Sequence, residues 1–189
     1  MRSWAALAAL VGLAGCATDR GAEQVVHPGL PLANAGFEQA AEVDRCPPGW
    51  SCVAHNGVHS HRMRSEARSP GHGSRSLCAD PLEPVDNWLY VYQLLPAEGL
   101  RGKRVRLSAL VRDAGDAGTG AGPSVLAQGI DGGTLVHQQR LARDTGGWQR
   151  LTAEIAVPPN AFHVQAGILF ESHAPACADD VRLEIAPPG

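Results

Sequence analysis

The sequence predicts an all-β fold, a sandwich or barrel of many short antiparallel strands. Three observations carry this. Apolar and polar residues alternate with period two in several segments, which is how a strand with one buried face reads. Gly (22) and Pro (14) make up almost a fifth of the 189 residues and punctuate the chain at short intervals. No segment after residue 16 sustains a helical period.

The clearest signal runs from Asn87 to Arg112. Its first arm places Trp88, Tyr90 and Tyr92 on one side and Leu89, Val91 and Gln93 on the other. Its second arm alternates Val105, Leu107, Ala109 and Val111 against Arg104, Arg106, Ser108 and Arg112. The pair reads as a hairpin turning through Pro96 to Gly99. Before it, Leu30 to Glu38 reads as a short strand with a glycine bend. Trp50 to Ala54, His59 to Arg64 and Arg75 to Ala79 follow as further extended pieces. After it, Asp113 to Pro123 is rich in Gly, Ala and Asp and reads as a loop. Ser124 to Ile130 and Thr134 to Gln139 flank Asp131-Gly132-Gly133, a strong hairpin signal. Trp148 to Val157 is a strand with Leu151, Ala153, Ile155 and Val157 on one face. Phe162 to Phe170 is mostly apolar and reads as central. Ala178 to Ala186 closes the chain, with Val181, Leu183 and Ile185 alternating against Asp180, Arg182 and Glu184. Trp50 and Trp148 stand at strand starts and read as core.

Bulk composition narrows the function classes. Apolar residues are 44% and charged residues 19% of the chain, ordinary for a globular domain. A formal charge of -3 gives no electrostatic case for nucleic acid. Fifteen of the sixteen basic residues are Arg, and Lys103 is the only Lys.

Residues 1–15 read as an export signal. Arg2 precedes an apolar run from Trp4 to Leu13 that is too short to span a bilayer. The run ends in Leu13-Ala14-Gly15-Cys16, which resembles a bacterial lipobox. That resemblance implies cleavage before Cys16 and acylation of Cys16. It also implies anchorage in the cell envelope, and Ala17 in place of Asp favours the outer membrane. Residues 16–29 then form a tether and residues 30–187 the domain.

Four cysteines remain: Cys46, Cys52, Cys78 and Cys177. An even number in an exported chain suggests disulfides, and three pairings are open. The favoured one joins Cys46 to Cys52 around Pro47-Pro48-Gly49-Trp50 and Cys78 to Cys177 across the chain. A zinc site is the alternative, although no CxxC spacing supports it.

The order of several motifs resembles the carbohydrate-binding modules of the galactose-binding-like, jelly-roll class. Asn34-x-Gly36-Phe37-Glu38, Pro48-Gly49-Trp50 and Gly73-Ser74-Arg75-Ser76-Leu77 match the opening. Tyr92-Gln93-x-x-Pro96 through Ala109 matches the middle. Gly147-Trp148-Gln149, Val157-Pro158 and Asp179-Asp180-Val181-Arg182-Leu183 match the remainder. The resemblance spans Pro31 to Ala186, and Ala174 to Cys177 departs from the family's aromatic-rich approach to the last strand. It implies a jelly-roll β-sandwich of two antiparallel sheets. It further implies a structural Ca²⁺ with Glu38 and Asp179 or Asp180 as ligands, completed by carbonyls of the Pro70 to Ser74 loop. Trp88, Tyr90 and Tyr92 become the candidate stacking platform for sugar rings, weighed against burial in the core.

Other candidates are weaker. His59-Ser60-His61 would set two imidazoles on one side of a strand, with His55 and His72 nearby in sequence, but no carboxylate or Cys has ligand spacing to them. No G-x-S-x-G, HExxH or P-loop is present. Asp113, Asp116, Glu154 and Glu171 would serve a hydrolase only if two of them shared a cleft. The reading is a non-catalytic, membrane-anchored module for a carbohydrate or cell-surface glycan. The alternative is an envelope lipoprotein that binds a protein partner through the same sandwich. The mature protein from a bacterial host is expected to begin at Cys16 and carry acyl chains. Intact-protein mass spectrometry checks this, and an unmodified Cys16 refutes it.

Overall fold

The computed structural model describes residues 29–55, 60–82, 88–113, 120–142, 146–171 and 173–187. Cys16, with the leader and tether up to residue 28, lies outside the described residues, as do His59, Asn87 and Asp116. Ten strands are present: β1 (Ser51–Ala54), β2 (His61–Glu66), β3 (Ser76–Pro81), β4 (Leu89–Pro96), β5 (Arg104–Asp113), β6 (Ala121–Gln128), β7 (Thr134–Gln139), β8 (Gln149–Ala156), β9 (His163–Phe170) and β10 (Ala176–Ile185). Among the described residues there is no helix.

The strands form two antiparallel five-stranded sheets. The front sheet runs β1-β4-β9-β6-β7 and the back sheet β2-β3-β10-β5-β8. This is the expected jelly-roll sandwich. The alternation read from the sequence explains it directly. β5 buries Val105, Leu107, Ala109 and Val111, each 0% exposed, while Arg104, Arg106 and Arg112 face out. β10 buries Ala176, Ala178, Val181 and Leu183, and β8 buries Ala153 and Ile155 with Val157 just beyond it. From the front sheet, Leu89 and Val91 of β4, Val125 and Ala127 of β6, and Val164, Ala166, Ile168 and Phe170 of β9 meet them in one core. A fully buried aliphatic side chain contributes about 1.5–3 kcal/mol. β9 lies between β4 and β6, so its central placement was correctly anticipated.

Two expectations are corrected. First, Asn87 to Arg112 is not a hairpin. β4 pairs with β1 and β9, whereas β5 pairs with β10 and β8 in the other sheet. Both arms were read correctly as strands, but the connection between them is too long for a tight hairpin turn. It buries Ala97 and Leu100 and so closes one end of the core. The genuine hairpins are β2–β3 and β6–β7. Second, Leu30 to Glu38 is not a strand. Only Leu30 makes a bridge, to Leu183. Asn34 and Phe37 sit at φ 46° and 51°, in the left-handed region that a strand excludes. The Asn34 side chain holds that turn by accepting from the Gln39 amide at 3.0 Å and donating to the carbonyls of Gln39 and Pro48 at 3.2 Å.

Trp50 is core, 7% exposed, with its ring 5.1 Å from Phe37. Trp148 is not. It is half-buried, donates from Nε1 to the Ser69 carbonyl, and lies under the Arg112 guanidinium at 5.0 Å.

Both favoured disulfides are present, Cys46–Cys52 and Cys78–Cys177, which removes the zinc reading. Cys78 and Cys177 face each other directly in the β3–β10 register. The loops they close differ greatly, with sequence separations of 6 and 99. Replacing Cys78 and Cys177 together by Ala is expected to cost about 4–5 kcal/mol, against roughly 2 kcal/mol for the Cys46–Cys52 pair. Paired thermal melts check this, and equal losses would show that chain entropy is not what separates them.

Candidate functional site

The front sheet has an outer face whose residues the register fixes. Val53, Tyr90, Leu169 and Gly122 form one row. Ser51, Tyr92, Gly167, Ser124 and Gln139 form the next. Leu94, Gln165, Leu126 and His137 form a third, and Pro96, His163 and Gln128 a fourth. None of these residues is Asp, Glu, Lys or Arg.

Of the aromatic trio, Tyr90 and Tyr92 lie together on this face. Their rings stack at 5.0 Å with 14° between planes. Tyr90 is 7% exposed and is the floor. Its hydroxyl donates to the Ser124 carbonyl at 3.0 Å, and burial pushes its pKa well above the ordinary phenol value, so it is a neutral donor. Tyr92 is half-buried and keeps part of its ring open. Gly167 lies opposite Tyr92 and makes room for it, because a Cβ there would come within 2.7 Å of the Tyr92 Cβ. Trp88 precedes β4, is half-buried, and stacks on His55 at 5.8 Å. It continues the same side of the strand toward the opposite end from Leu94.

Neutral polar groups flank the tyrosines. Ser124 Oγ and His137 Nε2 are 2.9 Å apart, and Gln165 donates to Gln128 at 2.9 Å. Amide, hydroxyl and imidazole groups on strands β6, β7 and β9 thus converge beside a ring face. A groove of about 550 Å³ opens from Gln139 toward the edge between β7 and β8, lined also by Arg140, Leu141, Ala142, Gln149 and Leu151.

The back sheet's outer face is the electrostatic opposite. Arg64 meets Asp80 at 2.9 Å and Glu66 at 2.8 Å. Arg104 and Arg106 hold Glu154 from either side at 2.7 and 2.9 Å, and Arg106 also reaches Glu184. The Arg104 hydrogen bond leads the effects that keep the Glu154 carboxyl below its usual range. Glu154 lies near the start of β5 and Asp113 at its end, so the two are about 20–25 Å apart along the strand. That separation is too large for a glycosidase pair.

The acidic residues of the implied Ca²⁺ site divide. Glu38, turned by the left-handed Phe37, accepts from the Ser74 amide at 2.9 Å and from the Ser74 hydroxyl, and these bonds lower its pKa. Gly73 passes so close that a Cβ would overlap Glu38 Oε1. Asp179 is 0% exposed and accepts from the His72 amide at 2.7 Å and the Asp180 amide at 2.6 Å. Burial raises its pKa, the amides oppose that, and the nearby Glu38 charge raises it further. Asp180 points elsewhere. Burial opposes its charge, yet Arg182 at 2.6 Å and Arg150 hold its pKa down. Two guanidinium groups already balance its charge, which leaves Glu38 and Asp179, whose hydrogen bonds come from neutral amides and a hydroxyl, as the hard-oxygen set beside the 70–74 loop.

His61 is buried, 2% exposed, with Nδ1 2.9 Å from Ser60 Oγ, and burial lowers its pKa. Among the described residues, no three His, Cys, Asp or Glu side chains gather to hold a metal.

The Gln165, Gln128, Ser124 and His137 set was not singled out from the sequence. These residues lie on three strands, and only the register assembles them. The alternation of β6 and β9 did carry their facing, but not which strands would be neighbours.

No protein-family model matches the chain, and no curated protein does. Solved structures do. A family 22 carbohydrate-binding module of Clostridium thermocellum Xyn10B matches at TM-score 0.55 and 14% identity over 82% of this chain and 98% of that one. The xylan-binding CBM22-1 domain of Paenibacillus barcinonensis Xyn10C matches at 0.51 and 15%, over 80% and 99%. The enzymatically active domain of bacteriophage CBA120 tailspike protein 4 matches at 0.58 and 13%, over 82% of this chain but only 21% of that one. The chain therefore spans about a fifth of that tailspike domain and essentially the whole of the separate modules. At these identities the likeness is one of architecture: the domain is a jelly-roll β-sandwich of the kind seen in carbohydrate-binding modules.

Proposed function

We propose that this domain is a non-catalytic module that binds an uncharged glycan on the outer face of the front sheet, displayed from the cell envelope through acylated Cys16. The observation that carries the reading is the stacked Tyr90–Tyr92 pair on a face without formal charge. Sugar rings offer C–H faces to aromatic rings and hydroxyls to neutral amides. The half-open Tyr92 ring and the Gln165–Gln128 and Ser124–His137 pairs supply both. Such a site needs no ionised partner, and uncharged hydrogen bonds suit a ligand that must be released. The solved modules of the same architecture include xylan binders, which supports the substrate class.

We also propose that Glu38 and Asp179 hold a Ca²⁺ together with carbonyls of the 70–74 loop. Two neighbouring carboxylates, one fully buried and raised in pKa, form a hard-oxygen set that a divalent cation would neutralise. Asp180 is left to its two arginines.

Tyr92→Ala is expected to weaken glycan binding about tenfold, roughly 1.4 kcal/mol. Tyr90→Phe should cost about 1 kcal/mol of stability through the lost Ser124 hydrogen bond while leaving affinity nearly unchanged. A glycan array followed by calorimetry on both variants checks this, and failure to retain any neutral glycan sinks the reading. For the cation, chelator treatment should lower the melting temperature of the wild-type protein. With Ca²⁺ at about a hundred times its Kd the stabilisation is roughly 2.7 kcal/mol. Asp179→Asn should abolish the chelator effect and Asp180→Asn should preserve it. A chelator-insensitive wild type removes the site.

A further inference from the structure

Three connections and the entry of the chain gather at one end of the sandwich. Ala97 to Lys103 joins β4 to β5, Gly129 to Gly133 joins β6 to β7, and Val157 to Phe162 joins β8 to β9. They are tied together: the Phe162 amide donates to Gln128 at 2.7 Å, the Ala97 amide to Phe162 at 3.0 Å, and the Gly102 amide to Val157 at 2.9 Å. Leu30 enters here, donating to the Leu183 carbonyl at 2.7 Å, and Ala186 leaves here, donating to Arg104 at 2.9 Å.

The same end carries apolar side chains without cover. Ile130, at the tip of the β6–β7 turn, is 83% exposed, and Phe162 beside it is 44% exposed. Leu94 and Leu135 flank them on the front sheet at 49% and 40%. Among the described residues, the other large exposed apolar ones, Val43, Val53 and Leu82, stand apart from this end. A single exposed apolar residue is unremarkable, but a group confined to one end marks a contact surface.

We infer that this end is the membrane-contacting end of the domain, with Ile130 and Phe162 inserted at the headgroup boundary of the bilayer. The inference rests on the reading of Cys16 as the anchor. From Cys16 to Gly29 the chain is 13 residues long, so it reaches at most about 45 Å when extended. It arrives at Leu30, on the end that bears the apolar tips. A tether fixed there attaches beside these tips, and the opposite loops lie a strand length, about 33 Å, further from it. The nearby charges balance: Arg101, Lys103 and Arg104 stand against Glu98, Asp131 and Glu154. Contact is therefore apolar insertion, adding to the acyl chains with little dependence on salt. Tyr92 and Tyr90 stand one and two rows beyond Leu94, away from this end of the front sheet.

The test uses the lipidated chain in phosphatidylethanolamine–phosphatidylglycerol vesicles, with Ile130→Trp, Phe162→Trp and, at the opposite end, Leu82→Trp as reporters. The added emission at positions 130 and 162 is expected to shift to the blue and be quenched by brominated lipid, equally at low and high salt. The reporter at 82 should do neither. If vesicle-bound protein shows no more quenching at 130 and 162 than at 82, the inference is overturned and the anchor stands. If those reporters are shielded from aqueous quencher without lipid quenching, a protein partner or a second copy covers the end, which also overturns it. If Cys16 carries no acyl chain, the anchor reading fails separately. Coupling the Cys16 thiol to a maleimide phospholipid then puts the same question with the same outcomes.

Discussion

The structure depends on one constraint: each strand has a single apolar face, and all of those faces must close on one core. β5 shows it in its simplest form, with four apolar residues at 0% exposure alternating with residues that face solvent. Two sheets meet the constraint only if strands sit opposite one another, so the chain crosses from sheet to sheet at most of its connections. The crossings place the connections at the two ends of the sandwich. They leave two outer faces free to differ, and these faces do differ.

The back sheet faces water with arginine and carboxylate side chains in cross-strand pairs, as on Arg106 between Glu154 and Glu184. Each exposed pair is worth at most about 1 kcal/mol. Their more important effect is on solvation. A surface laced with matched charges stays hydrated and resists docking by a neutral partner. The front sheet carries none of these groups along its rows and instead presents tyrosine, amide and imidazole. Removing water from such a face costs little compared with stripping it from ions. The division between faces thus favours a neutral ligand at the front before any particular contact is considered.

How much of this was legible in the sequence depends on which physical signal each feature uses. The strand faces of β5, β8 and β10 follow from period two and were read correctly. So were the two disulfides and the β6–β7 hairpin at Asp131-Gly132-Gly133. Pairing was not legible for β4 and β5, because alternation says which way a side chain points and nothing about which strand lies alongside. The turn at Asn34 to Phe37 was also missed. Left-handed backbone at Asn and Phe is maintained by hydrogen bonds from Asn34 to residues as far away as Pro48, which a local reading does not see. In the candidate site, Tyr90 and Tyr92 were placed on one side by parity. Their neighbours Gln165, Ser124 and His137 come from strands far away in sequence, so the site's polar half appears only with the register. Asp179 and Asp180 could not be told apart for the same reason. The strand is irregular between Asp179 and Arg182, with Asp180 at φ 44°, so alternation fails there, and the partners that distinguish the two, the His72 amide and the Arg150 guanidinium, come from different parts of the chain.

The Cys78–Cys177 crosslink bears on how such a domain stays assembled. β3 and β10 are neighbours in the back sheet although almost a hundred residues separate them, so theirs is the longest loop closed between two paired strands of the domain. Non-local strand pairing of this kind is slow to form and costs chain entropy until the core rewards it. The disulfide removes that entropy from the unfolded chain. It also sits beside Asp179, two residues further along β10, whose carboxylate holds the His72 amide. The crosslink fixes where β10 lies, β10 fixes Asp179, and Asp179 with Glu38 pins the loop that covers this side of the sandwich. The order of dependence therefore runs from oxidation to strand register to loop geometry. If the chain is exported, as we propose, an oxidising compartment would supply the first step.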